Sequence, residues 1–124
     1  LMQAQLADYT NTFRALTLAR TDESGLFATP QFTRWHERWQ ARLDRQNRPK
    51  ETVQQLMKNS NPAIIPRNHQ VEAALASAAE QEDYSVMKRL LAVLADPYVY
   101  SSEQTEYAEP PEPSSCAYRT FCGT

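Results

Sequence analysis

The sequence predicts an all-α fold: about five helices in an irregular bundle, followed by an extended, proline-rich tail. Three observations predict it. Glycine is nearly absent, with only Gly25 and Gly123 in 124 residues, while eight prolines punctuate the chain. Between the prolines, apolar residues recur at the three- and four-residue steps that stack side chains on one helix face. No segment shows the period-two alternation and β-branched enrichment of a strand.

Met2, Leu6, Tyr9, Phe13 and Leu16 define the apolar face of a first helix. The segment TDESGLFAT then breaks the pattern. Thr29 ahead of Pro30 starts a second helix, because proline in the first helical position gives up no hydrogen bond. That helix carries Phe32, Trp35, Trp39 and Leu43 on one stripe and ends before Pro49. Val53, Leu56 and Met57 mark a short third helix. The stretch NPAIIP, from Asn61 to Pro66, reads as an ordered loop with Ile64 and Ile65 plugging the core. Asn68 is the expected N-cap of a fourth helix bearing Val71, Ala74, Leu75, Ala78 and Ala79. Ser85 is the expected cap of a fifth, which presents Met87, Leu90, Leu91 and Leu94 and stops before Pro97. Residues 1–100 form the expected helical domain. Residues 101–124, with Pro110, Pro111, Pro113 and four glutamates, form an acidic tail too polar to offset its ordering entropy, docked where its aromatic residues find a surface.

Composition removes several classes of function. The 13 basic and 15 acidic residues give a net charge of -2, which argues against a nucleic-acid partner. Arg34, Arg38, Arg42, Arg45, Arg48 and Lys50 form a local basic stretch that reads as a solvated helix face, with a phosphate- or protein-binding patch as the alternative. No apolar run approaches the ~20 residues that span a bilayer, so no membrane association and a soluble protein are expected. Cys116 and Cys122, both in the last ten residues, make no disulfide framework and fit a reducing cytoplasm better. Leu1 in first position suggests a chain cut from a longer one. Two scattered glycines supply no phosphate-cradling loop. His36, His69, Cys116 and Cys122 make no zinc-ligand set at any usual spacing. No catalytic residue, metal site or cofactor is expected within this chain.

Three features carry chemistry. In NPAIIPRNH, the residues Arg67, Asn68 and His69 stand where the fourth helix begins. They serve either as turn and cap groups or as contacts to another domain or a bound anion, which the helix dipole would favour. Trp35 and Trp39 share a face that belongs to the core or, in part, to an interdomain patch. Cys122, third from the end, has a free-thiol pKa near 8.5, so only a small fraction is thiolate at neutral pH. Taken alone, a terminal cysteine is no evidence of function.

The blocks NPAIIPRNHQVEAAL, DYSVMKRLLAVLADPY, YAEPP and the closing YRTFCGT, with RWHERWQARL and QLMKNSNP upstream, resemble the C-terminal end of the selenoprotein O family, whose bacterial members are also called YdiU proteins. The resemblance implies a bacterial parent protein with a kinase-like fold, which takes ATP and Mg²⁺ and transfers AMP to hydroxyl side chains of other proteins. Its nucleotide-binding and catalytic residues would lie upstream of this chain, in a kinase-like domain that is this chain's expected partner together with the protein substrates. Cys122 matches the family's terminal selenocysteine or cysteine, which implies a redox-regulatory disulfide with a cysteine of the kinase-like domain, although the closing Cys-Gly-Thr departs from the serines found elsewhere. Cys116 has no counterpart in this pattern. A helical module that recruits partner proteins is the alternative reading.

Overall fold

The computed structural model describes residues 1–22 and 25–112, and among these the protein is all-α, with six α-helices, two short 3-10 turns and no strand. The helices are α1 (Tyr9–Thr17), α2 (Pro30–Asp44), α3 (Lys50–Ser60), α4 (Asn68–Gln81), α5 (Ser85–Leu94) and α6 (Ser102–Tyr107). The second helix starts as its sequence dictates. Thr29 is extended and its hydroxyl accepts from the Phe32 N–H at 3.2 Å, with Pro30 in the first turn.

The first helix is shorter than its apolar spacing suggests. Gln3–Gln5 form a 3-10 turn, Leu6 takes a left-handed conformation (φ 49°), and α1 begins only after Asp8. The Asp8 carboxylate caps α1 by accepting the Asn11 N–H at 2.8 Å, a stronger start signal than the hydrophobic spacing that runs across it. Leu6, expected on the buried face, is therefore 93% exposed. Two further caps also differ. Arg67, not Asn68, precedes α4, and its carbonyl accepts from Gln70 and Val71 at 3.0 Å. Ser85 is the first residue of α5, and the group that caps there is the Asp83 carboxylate, which accepts the Ser85 N–H at 2.9 Å.

Leu16, Leu26 and Phe32 form a buried cluster under α1, α2 and the Gly25–Ala28 turn, flanked by Phe13, Phe27, Trp35, Trp39 and Met57. The aromatic stripe of α2 is continuous: Trp35 and Trp39 stack at 5.7 Å and 9°, and Phe32 stacks on His36 at 5.5 Å. Both tryptophans are half-buried and pack against the core. Of the two loop isoleucines, Ile64 is fully buried and Ile65 only partly, because Ala63 takes the other interior position.

The expected tail departs most from its reading. Residues 102–107 form a helix, closed by a capping box in which Ser101 and Gln104 exchange side-chain and backbone hydrogen bonds. Gln104 is buried, and its amide donates to the carbonyls of Val93 (3.3 Å) and Asp96 (2.7 Å), which fastens α6 to the end of α5. Packing therefore continues past residue 100 to Ala108, which is also buried. Of the aromatic residues expected to tether it, Tyr107 has its ring 5.9 Å from the Arg89 guanidinium, Tyr100 donates its hydroxyl to the Asn61 carbonyl, and Tyr118 and Phe121 lie outside the described residues.

Candidate functional site

The loop from Asn61 to His69 is the junction on which the helices meet. Asn61 closes α3 and donates to Thr17 of α1 at 3.4 Å, while its carbonyl accepts the Tyr100 hydroxyl at 2.6 Å. Lys58 lies over the Tyr100 ring at 5.8 Å. The Ala63 N–H donates to the Pro97 carbonyl at 2.7 Å, so the loop also holds the link between α5 and α6. Two prolines stiffen the segment.

Arg67 is the centre of this junction. Its guanidinium meets the Asp8 carboxylate in a two-pronged pair, at 2.6 and 2.9 Å, and also donates to the Ala108 carbonyl at 3.2 Å. Asn11 donates to the same carbonyl at 2.8 Å, and Arg14 reaches Thr105 at 2.7 Å. One cluster thus ties the start of α1, the start of α4 and the end of α6. The Arg67 side chain is 10% exposed and that of Asp8 25%, so the pair is held largely away from water. The Arg67 hydrogen bonds hold the Asp8 carboxyl below its ordinary range, against the upward pull of burial and with help from the Asn11 N–H.

The structure separates the three polar residues grouped by the sequence. Arg67 is committed to Asp8 and Ala108. Asn68 is exposed in the first turn of α4. His69 is half-buried, with its Nδ1 enclosed and unpaired. Asp8, which sequence reasoning passed over, completes the cluster; the signal available for it was a capping aspartate directly ahead of a helical pattern. Cys122 and Cys116 lie outside the described residues. The basic residues Arg34, Arg38 and Arg42 are exposed along α2. An apolar groove of about 440 Å³ runs between α1 and α2, lined in part by Met2, Phe13, Leu26 and Trp35. Among the described residues, no group of three or more His, Cys, Asp or Glu side chains is placed to hold a metal ion, and no helix is long and apolar enough to cross a membrane.

This arrangement fastens helices together. Relatives supply the context. The family model for the protein adenylyltransferase SelO matches residues 1–95. Similar curated proteins, each named protein nucleotidyltransferase YdiU, come from Alkaliphilus metalliredigens (58% identical), Halalkalibacterium halodurans (58%) and Bacillus cereus (54%), in every case over the whole of this chain. The chain spans 25% of the length of each, at the C-terminal end. No solved structure matches it. With both the family model and the full-length alignments in agreement, the chain belongs to the SelO family of protein adenylyltransferases.

Proposed function

We propose that this chain is the C-terminal helical part of a bacterial, cytoplasmic protein adenylyltransferase. Its work is structural and regulatory, and the nucleotide chemistry is done elsewhere in the polypeptide. The observation that carries this reading is identity of 53 to 58% along the chain with proteins named nucleotidyltransferases that are four times as long. In that setting the intact protein takes ATP and Mg²⁺ in a kinase-like domain, the partner of this chain, and transfers AMP to hydroxyl groups of protein substrates. Transfer of this kind depends on groups that position the phosphates and neutralise their developing charge. Cys122 serves as a redox latch toward a cysteine of the kinase-like domain.

The test is a transfer assay with labelled ATP and Mg²⁺, run on the intact protein and on residues 1–124 in parallel. The expected result is label on protein from the intact polypeptide and none above background from the shorter chain. Transfer by residues 1–124 alone would overturn the division of labour. Transfer that is equal under oxidising and reducing conditions, in both the wild type and Cys122→Ser, would remove the latch.

A further inference from the structure

The fourth and fifth helices form a hairpin whose two sides differ. The short connection from Glu82 to Tyr84 turns the chain back, so α5 runs antiparallel beside α4. Ala74 and Leu90 are buried on these two helices. Each helical residue advances about 100° round its axis, so Leu75 and Leu91 stand one step in the same sense from those buried positions. In an antiparallel pair, equal rotations in the same sense carry both side chains to the same side of the hairpin. Each also lies seven residues from the connection, which sets them at one height. They are 53% and 60% exposed.

The opposite side is already occupied. Arg89, one step the other way from Leu90, pairs with Glu106 at 3.2 Å, and Gln104 reaches the Val93 carbonyl. Among the described residues, α6 therefore covers the α5 flank of one side of the hairpin and leaves the Leu75–Leu91 side open. The composition of α4 sharpens the contrast. Val71, Ala73, Ala74, Leu75, Ala76, Ala78 and Ala79 run round its whole circumference, yet only Ala74 is buried. Gln70, Glu72, Ser77 and Glu80 are interleaved with these residues, but the helix still carries more apolar surface than this chain buries.

We infer that the open side of the α4–α5 hairpin, centred on Leu75 and Leu91, is an apolar interface that packs against the upstream three quarters of the intact polypeptide. The occupant follows from length: relatives that match this chain throughout extend over four times as many residues, and this chain is their C-terminal quarter. The inference rests on the proposed membership of a longer enzyme and adds where the two parts meet. The contact is non-polar, so it gains from apolar burial and needs no charge pairing.

The experiment uses the intact polypeptide carrying Leu75→Cys, Leu91→Cys or, as a control on the covered side's outer helix, Glu103→Cys. Maleimide labelling is read at each position by mass spectrometry, with AMP transfer measured on the same samples. Labelling at positions 75 and 91 is expected to be at least about tenfold slower than at 103. Equal rates at all three overturn the inference. Protection that disappears on dilution assigns the face to a second copy and overturns it too. Slow labelling without AMP transfer supports the interface and removes only the activity reading, whereas transfer with fast labelling removes only the interface. Carbene footprinting of Leu75 and Leu91 in the unsubstituted protein gives the same reading if a cysteine variant fails to fold.

Discussion

Replacing Asp8 by Asn separates the two roles of that carboxylate. Asparagine caps a helix about as well as aspartate, so the bond to the Asn11 N–H survives and only the charge opposite Arg67 is lost. Arg67 then keeps the side-chain oxygen of residue 8 and the Ala108 carbonyl as acceptors for one amino group, but the other loses its carboxylate partner in a site where the side chain is 10% exposed. Stripping one partner from a fully buried pair costs ~3–5 kcal/mol, and the partial exposure of Asp8 lowers that to about 2–3 kcal/mol. Asp8→Ala also removes the cap and costs about 1 kcal/mol more. Urea unfolding followed by circular dichroism measures both. The acid limb provides a second reading. Because the Asp8 carboxyl is held below the ordinary value of 3.8, the unfolded chain binds its proton first as pH falls. The contribution is therefore complete above that value, declines below it and is gone once the folded carboxyl is protonated. Asp8→Asn should flatten this decline. If both variants stay within about 0.5 kcal/mol of the wild type, as an ordinary surface substitution would, the cluster does not hold the helices together and the reasoning fails.

Three further outcomes follow from the packing. Gln104→Ala removes the side-chain half of the capping box and both amide bonds to the end of α5, so hydrogen exchange across residues 102–107 should quicken while α1–α3 keep their protection, at a cost of about 2 kcal/mol. Ile64→Ala empties a fully buried position in the junction loop and should lower stability by about 3 kcal/mol in the same unfolding assay. Leu6→Gly should do the opposite: a left-handed, 93% exposed leucine makes little contact to lose, and glycine relieves the strain, so the unfolding midpoint should rise by the equivalent of about 0.5–1 kcal/mol.

The helices were legible where a local signal and the apolar spacing agreed. Thr29-Pro30 ahead of the Phe32–Leu43 stripe is such a place, and α2 starts there as expected. They were misread where the two signals conflicted. The spacing of Met2, Leu6 and Tyr9 suggested continuity, but Asp8 supplied a cap that starts the helix afresh. Helix α6 was legible in principle, since Ser101 and Gln104 stand three apart as a capping box requires. The surrounding prolines and glutamates outweighed that signal because composition averages over a window and a cap does not. The Arg67–Asp8 pair was not legible at all. Its partners lie 59 positions apart, and only the folded path of the chain brings them together.

The junction cluster and the open hairpin face describe two kinds of adhesion in one small chain. Within the chain, distant segments are joined largely by polar groups: Arg67 to Asp8, Asn11 to Ala108, Gln104 to Val93, Tyr100 to Asn61. Such bonds add little net stability each but specify geometry closely, since a buried donor without its acceptor is costly. Leu16, Leu26, Phe32, Ile64 and Leu90 are buried, yet several other large apolar residues, Leu75 and Leu91 among them, remain exposed. A domain folding for itself gains by burying more of these leucines, because apolar burial is the dominant favourable term. This distribution suits a piece whose internal shape is set by directional bonds and whose apolar surface is reserved for a neighbour. In a longer enzyme such a piece can be held firmly as a unit while its loss exposes the surface it covered.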